Sequence, residues 1–305
     1  MSFAALVRNL PAGLRFTLAD VGSAGGLHKR WLAARPIIAG LLFEPRDAGK
    51  IEQRGNDTIY PIALGPEAGT ATLNITALPN MSSTLRPNAA LLDGFRKKGG
   101  HTRIVETIDM PVDTLDALAK RESRQVDAIK VDTQGSELAI LRGATECLTS
   151  SILVAEVEVS FFQRYKGQAL AGDVIAFMAE QGFELIDLYR LKRYRRINQA
   201  GIGNISMGGG QRAGRLAYGD AIFFINEARL LERINGLPPA EAEATALKAI
   251  VALLIYGKAD LAAALFDRVG DAIGAPLRPK IAACLKSFRR PGVLHHMFDY
   301  LARHV

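Results

Sequence analysis

In the stretch ADVGSAGGLHKRW, Ala19 to Trp31, three glycines follow an apolar run and precede a helical-looking segment, the setting of a nucleotide-binding turn. A dinucleotide-binding turn needs G-x-G-x-x-G, with its second glycine letting the backbone approach a pyrophosphate. After Gly22 the corresponding positions hold Ala24 and Leu27, so that fingerprint is absent. What remains is an acid at a strand end, Asp20, then Gly22, Ser23, Gly25 and Gly26. The glycines permit close backbone approach, and a carboxylate suits an ammonium-bearing ligand better than a phosphate. About 20 residues on, the next strand ends in Glu44, where a carboxylate can accept hydrogen bonds from both hydroxyls of a ribose. Ribose joined to a cationic amino acid describes S-adenosylmethionine. Acids also end strands that bind nothing, so this pair alone leaves both readings open.

A second feature is a block of charge. Between Arg190 and Gly219 lie Arg190, Lys192, Arg193, Arg195, Arg196, Arg212 and Arg215, with no acid among them. The chain has 38 basic and 31 acidic residues, so this one window accounts for the whole net charge of +7. A nucleic-acid-coating protein spreads its charge over a face or an arm, whereas a single Gly-rich loop carries it here. The loop joins two apparent strands by about 25 residues, where hairpins need about two to five. It reads either as a solvated face or as a substrate lid whose arginines grip phosphate or carboxylate in bidentate fashion. Tyr189 and Tyr194, interleaved with the cations, offer stacking to a sugar or base.

The elements that must position these residues alternate in type. Leu14–Gly22 and Ile37–Pro45 read as strands, with LHKRWLAA between them as a helix. TIYPIAL and GTATLNIT read as two more strands, followed by a capped helix in PVDTLDALAKRE. The buried strand VDAIKVDTQG, the helix SELAILRGATECL and the buried strand SILVAEVEV come next. DVIAFMAEQG (helix), FELIDLYRL and YGDAIFFIN (strands) close the alternation. Near-continuous apolar strands between amphipathic helices imply a mostly parallel sheet covered on both faces, with the last strand antiparallel. From Glu227 the chain turns Ala/Leu-rich with Gly, Pro and Asp at the breaks, which predicts three to five short helices. The expected division is therefore 1–226 as the α/β domain and 227–305 as an all-α annex that packs on that domain or on a second subunit as a homodimer contact.

Composition narrows the class. At 305 residues and 49% hydrophobic content, the chain can bury one large core with a smaller unit appended. No apolar run approaches the roughly 20 residues of a bilayer span, and MSFAALVRNLPAGLRF lacks the h-region of a signal peptide. The expectation is a cytoplasmic protein without a membrane span. Cys147 and Cys284 stand far apart with no neighbouring ligand spacing, so they read as reduced structural thiols and no metal site is assigned.

Further along, Asp20-Val21-Gly22, Phe43-Glu44-Pro45, Leu115-Asp116-Ala117-Leu118, Ile129 to Ala144 (IKVDTQGSELAILRGA) and Ile152 to Val159 occur in order. In this order and spacing they resemble the FkbM family of S-adenosylmethionine-dependent methyltransferases, over roughly Phe16 to Asn226. KVDTQGSE is the most specific piece. Family members commonly have Val-Glu-Gly where this chain has Thr133-Gln134-Gly135, so a carboxylate is replaced by an amide at Gln134. The resemblance implies a Rossmann-like class I methyltransferase fold, with a mostly parallel seven-stranded sheet and S-adenosylmethionine as cofactor. It also implies methylation of a hydroxyl, often on a sugar. Carried over, Asp20, Gly22, Ser23 and Gly26 line the methionine part, Glu44 with Pro45 the ribose, and Ala63-Leu64 the adenine. Asp132 faces the methyl group, and the Asn80-Met81-Ser82-Ser83 stretch matches a polar segment near the cofactor.

Methyl transfer to a hydroxyl requires an oxygen at near-attack distance of about 3 Å and removal of its proton. Asp132 is the first candidate base. Glu137, Glu156 and Glu158 lie nearby in sequence or on the next strand, placed to share that task or to hold a divalent cation. Each also has an ordinary reading: Glu137 in the first turn of its helix, where negative charge is favoured, and Glu158 as a paired surface acid. His28 and His101 are alternative bases, the latter in the RKKGGHTR loop, within reach of a pocket. Arg193, Arg195 and Arg196, with His101, are the candidate acceptor-binding residues. They imply an anionic acceptor such as a phosphorylated, nucleotide-linked or acidic sugar. A non-catalytic binding or assembly protein on the same fold, permitted by Gln134, is the alternative. RNA methylation is a further one; it is less expected, since no separate basic RNA-binding module is present.

Overall fold

The computed structural model describes residues 1–22, 26–45, 49–96, 100–202 and 213–289. Ser23 of the glycine turn and Arg212 of the basic window lie outside the described residues. The strands are β1 (Phe16–Val21), β2 (Ile38–Phe43), β3 (Glu52–Arg54), β4 (Asp57–Tyr60), β5 (Ala63–Leu64), β6 (Gly69–Thr76), β7 (Ile104–Asp113), β8 (Ala128–Val131), β9 (Val154–Ser160), β10 (Phe183–Tyr194) and β11 (Arg215–Ile225). Among them run helices α1 (Phe3–Val7), α2 (Ala89–Leu92), α3 (Leu115–Arg121), α4 (Glu137–Arg142), α5 (Thr145–Ser150) and α6 (Ala171–Glu180).

The main sheet has the order β10-β11-β9-β8-β1-β2-β4-β3. β1 with β8, β8 with β9, and β2 with β4 pair in parallel, whereas β11 runs antiparallel to β9 and β3 antiparallel to β4. This is a Rossmann-like α/β sheet with eight strands where the family resemblance implies seven. The short, fully exposed β3 hairpins onto β4 and adds the extra edge. TIYPIAL, which reads as one strand, is two: Pro61 has no N–H to continue a ladder. The residues beyond it, β5, join a separate sheet of order β5-β7-β6. Chain order reverses at β1, with β2 on one side and β8 on the other. The carboxyl ends of strands at such a reversal border the ligand crevice of open α/β sheets.

Local chemistry holds these ends in place. Every residue of β9 is buried, Glu156 and Glu158 included, so both acids require partners. Glu156 accepts from Tyr189 Oη at 2.5 Å. The acid of the Leu115–Leu118 motif, Asp116, accepts the N–H groups of Glu146 and Cys147 at 2.9 and 2.8 Å, ties α3 to the first turn of α5 and favours that helix end electrostatically.

The chain divides into two compact units. One comprises Leu18–Gly26 and Gly40–Phe224; the other comprises Met1–Thr17, Leu27–Ala39 and Ile225–Val305. In the second, α7 (Glu227–Gly236), α8 (Pro239–Ile255), α9 (Ala259–Val269) and α10 (Arg278–Ser287) pack in succession. Residues Lys29–Ala34, which form a 3-10 helix, contact α1 and α8. Trp31, fully buried, stands edge-on to Tyr256 with centroids 5.9 Å apart and tilts against Phe16 at 5.7 Å. Arg30 lies over the Tyr256 ring at 4.8 Å. Cys147 and Cys284 are free and buried. Among the described residues no helix is long and apolar enough to cross a membrane.

Candidate active site

The carboxyl ends of β1, β2, β8 and β9 open onto a cavity of about 370 Å³. Backbone hydrogen bonds draw these ends together: Gly22 N–H donates to Phe43 O at 3.3 Å, Asp132 N–H to Val21 O at 3.0 Å, and Glu44 N–H to Tyr60 O at 3.1 Å. Gly22 has φ +88°, and a Cβ there would lie 2.1 Å from Asp132 O, so only glycine lets the ends of β1 and β8 close on each other. Part of the cavity wall is apolar, built from Ala63, Leu64, Leu73, Met110 and Ile140. Glu44 and Pro45 line it at the end of β2. Asn80, Ser82, Thr84 and Ser136 add hydroxyl and amide groups, with Thr84 Oγ1 and Ser136 Oγ hydrogen-bonded at 2.5 Å.

The remaining wall is charged. Asp132, Gln134 and Glu158 come from β8, the turn after it and β9; Tyr218 and Asp220 from β11; Arg190 and Lys192 from β10. Gln134, in the left-handed region at φ +60°, donates through Nε2 to Asp132 Oδ1 at 3.0 Å and to Glu158 Oε1 at 3.2 Å. Its Oε1 accepts from Arg164 Nη1 at 3.3 Å and lies 3.4 Å from Tyr165 Oη, which donates to Met81 O at 2.9 Å. Arg164 also pairs with Glu158 Oε1 through Nη2, donates from Nε to Ser160 Oγ at 3.1 Å, and lies 4.2 Å from the centroid of the Tyr218 ring. Burial pushes Glu158 up to about 8 against the pull of Arg164, and the Asp132 and Glu137 carboxylates add to the rise. Burial likewise pushes the Tyr218 hydroxyl up to about 12. Asp220 sits directly opposite Glu158 in the β9–β11 ladder. Like charges so placed repel, and each has its own arginine: Arg164 for Glu158, and Arg190 Nη1 for Asp220 Oδ2 at 3.2 Å.

Of the residues singled out in the sequence, Gly22, Glu44, Pro45, Ala63, Leu64, Asp132 and Glu158 line this one cavity, as do Asn80 and Ser82. Others stand elsewhere. Asp20 is buried behind the site and paired with Lys130 Nζ at 3.2 Å, its cross-strand neighbour on β8. Burial raises its pKa, and the lysine only partly opposes that. Glu137 accepts the N–H groups of Thr133 and Gly135 at 3.1 and 2.9 Å, so its carboxylate fastens the strand-to-helix turn instead of facing the cavity. Burial raises its pKa as well, against those N–H donors. Gly26 has φ +98° but no atom of the described residues within 4 Å of a hypothetical Cβ, and is not among the described residues that line the cavity. His28 accepts from Arg30 N–H at 3.3 Å and caps its own turn. His101 is exposed, its carbonyl accepting from Leu78 N–H at 3.1 Å.

The basic window is rearranged most. β10 extends through Tyr194, so Lys192 and Arg193, like Arg190, are strand residues and not loop residues. Arg190, whose backbone is left-handed at φ +54°, and Lys192 line the cavity. Arg193 donates to Gly214 O at 3.3 Å. Arg195 and Arg196 belong to a strap pinned to the end of α2: Arg96 N–H donates to Arg195 O at 2.8 Å, Ile197 N–H donates to Gly94 O at 2.9 Å, and the Arg196 guanidinium lies over Phe95 at 5.2 Å. Arg164 and Tyr165 had no sequence signal beyond an isolated cation after a buried strand, and Tyr218 reads as an ordinary strand residue. Among the described residues no group of three or more His, Cys, Asp or Glu is arranged to hold a metal ion.

Among solved structures, the chain is similar to methyltransferase FkbM from Methylobacillus flagellatus KT, with 12% identity over 73% of this chain and a TM-score of 0.33. The chain spans about half of that protein's length, 48%. It is also similar to a protein of the NADB-Rossmann superfamily from Streptococcus agalactiae, with 13% identity over 88% of this chain and 93% of the other and a TM-score of 0.28. No curated protein matches the sequence. The Methyltransferase FkbM domain matches residues 26–185, a span that contains Glu44, Asp132, Gln134, Glu158 and Arg164 and more than half of the chain, and the protein therefore belongs to the FkbM methyltransferase family.

Proposed function

We propose that this protein is an S-adenosylmethionine-dependent methyltransferase acting on a hydroxyl of an anionic, sugar-type acceptor. The observation that carries this reading is a single cavity, at the strand-order reversal of a chain of this family, that joins an apolar wall, the Glu44 carboxylate and the Asp132 and Glu158 acids. Its volume of about 370 Å³ lies within the range of small-molecule sites.

The residues present fit the methyl donor. Ala63, Leu64, Leu73, Met110 and Ile140 offer apolar surface to a planar base, Glu44 can accept from two ribose hydroxyls, and the bare backbone at Gly22 suits the methionine part. When bound, the cofactor supplies an electrophilic methyl carbon on a sulfonium sulfur, which keeps the bonding electron pair as the methyl departs. The chain's own residues do the rest. Arg190 and Lys192 hold the negative group of the acceptor. Tyr218, backed by the Arg164 guanidinium, gives a sugar ring a surface to rest against. A carboxylate oxygen of Asp132 takes the proton that the acceptor hydroxyl gives up.

Calorimetry with S-adenosylmethionine and its demethylated product, on wild type and Glu44→Ala, tests the reading. Wild type should bind both, and loss of hydrogen bonds to a charged group, on the order of 1.5–3 kcal/mol, should weaken Glu44→Ala by about tenfold to a hundredfold. A wild type that binds neither would leave a non-catalytic binding protein as the better description.

A further inference from the structure

Asp132 and Glu158 both line the cavity, and one group fills the space between their inner oxygens. Gln134 Nε2 lies 3.0 Å from Asp132 Oδ1 and 3.2 Å from Glu158 Oε1. A primary amide nitrogen has two hydrogens, so each carboxylate receives one. The amide oxygen accepts from Arg164 Nη1 at 3.3 Å, and Tyr165 Oη, whose single proton goes to Met81 O at 2.9 Å, lies 3.4 Å from it. Both N–H groups of Gln134 and one lone pair of its oxygen are used inside the protein. Its orientation follows from the same contacts, because a flipped amide would set its oxygen against two carboxylates and its N–H groups against a guanidinium. The left-handed backbone at φ +60° carries a conformational cost for a non-glycine residue, which the three hydrogen bonds of the side chain can offset.

Two neighbouring carboxylates repel, and a shared proton or a cation between them relieves the repulsion. Here N–H donors occupy that place. Asp132 Oδ2 and Glu158 Oε2 have no hydrogen-bond partner among the described residues. We infer that Gln134 is a positioning residue: its amide takes the place of a cation between Asp132 and Glu158, holds their inner oxygens as acceptors, and leaves Asp132 Oδ2 to receive the acceptor's proton without a divalent metal ion. The origin of that proton rests on the methyltransferase reading; the geometry of the clamp does not. A glutamate at position 134 would have the same length but no N–H groups, and would place a third negative charge where the donors now sit.

Mn²⁺ titrations of the full chain test this by calorimetry and by thermal unfolding, on wild type, Asp132→Asn, Gln134→Glu, Gln134→Glu/Asp132→Asn and Gln134→Leu. Wild type should show no saturable Mn²⁺ binding and an unchanged Tm. Gln134→Glu should unfold at lower temperature in chelator and regain stability with Mn²⁺, through a site that Asp132→Asn removes. Gln134→Leu should lose stability without rescue, which separates the clamp from simple packing. Wild-type Mn²⁺ binding that Asp132→Asn abolishes would overturn the inference, as would a folded Gln134→Glu indifferent to Mn²⁺. Should Gln134→Glu not fold even with Mn²⁺, the wild-type titration decides: Asp132-dependent binding overturns the inference and its absence supports it. S-adenosylmethionine calorimetry on the same samples reads the cofactor separately, so failure of the methyltransferase reading is distinguishable from failure of the clamp.

Discussion

Glu158 and Arg164 form an ion pair in which neither side chain is more than 6% exposed, at the wall of the candidate active site. Burial raises Glu158 more than Arg164 lowers it, to a value near 8. The folded chain therefore keeps the Glu158 proton to higher pH than the unfolded chain does. Its contribution to stability is fully present below the ordinary carboxyl range and is lost as pH rises through the shifted value. The Tm of wild type should fall between pH 5.5 and 8.5, and Glu158→Gln, which resembles the protonated acid, should flatten that fall. Differential scanning fluorimetry across the range checks this. An identical pH dependence in both proteins would mean that the pair stays ionised throughout. Removing the cation instead, as in Arg164→Ala, strands a buried carboxylate beside Asp132 and should cost about 3–5 kcal/mol at pH 8.

Gly22 and Gly26 separate two costs that a glycine-rich turn confounds. Both have positive φ, but a Cβ at Gly22 meets Asp132 O at 2.1 Å while one at Gly26 meets nothing within 4 Å among the described residues. Gly26→Ala should therefore lose only the conformational term, about 1–2 kcal/mol. Gly22→Ala must in addition push the ends of β1 and β8 apart. It should be the more destabilised in urea unfolding, and it should lose cofactor binding in calorimetry even at temperatures where it remains folded. Equal stabilities for the two variants would mean that the β1–β8 ends relax freely.

What could be read in the sequence was whatever a single strand carries on its own. The apolar runs that become β1, β2, β8 and β9 are legible because a strand covered on both faces excludes polar side chains. The residues at or near their carboxyl ends, Gly22, Glu44, Asp132 and Glu158, converge because parallel strands bring those ends together. β7 was not legible: it is largely exposed and carries no apolar run, since its sheet packs on one side only. Nor was the extent of β10, whose charged second half resembles a loop but continues the strand at the edge of the sheet. Gln134 and Arg164 are 30 residues apart, and no spacing rule links a residue after β8 to one after β9. Their contact is a product of sheet order, which local periodicity does not encode.

The continuation of β10 moves the acceptor-binding prediction from the connecting segment to the strand. Lys192 and Arg190 line the cavity, whereas Arg195 and Arg196 are engaged with the segment after α2. Arg190 is already paired with Asp220 at 3.2 Å, so replacing it also leaves that acid without its arginine and lowers the positive potential by two effects. Lys192→Ala removes one cation alone. With an acceptor that turns over, Lys192→Ala should raise KM about tenfold and leave kcat near wild type, as loss of a charge-assisted hydrogen bond of roughly 1.5 kcal/mol requires. Arg190→Ala should raise KM further. Arg195→Ala and Arg196→Ala together should change KM by less than either, although Arg196→Ala will lower Tm through its lost packing on Phe95. The opposite ranking, with the strap arginines dominating KM, would place the acceptor over α2 and not against β10.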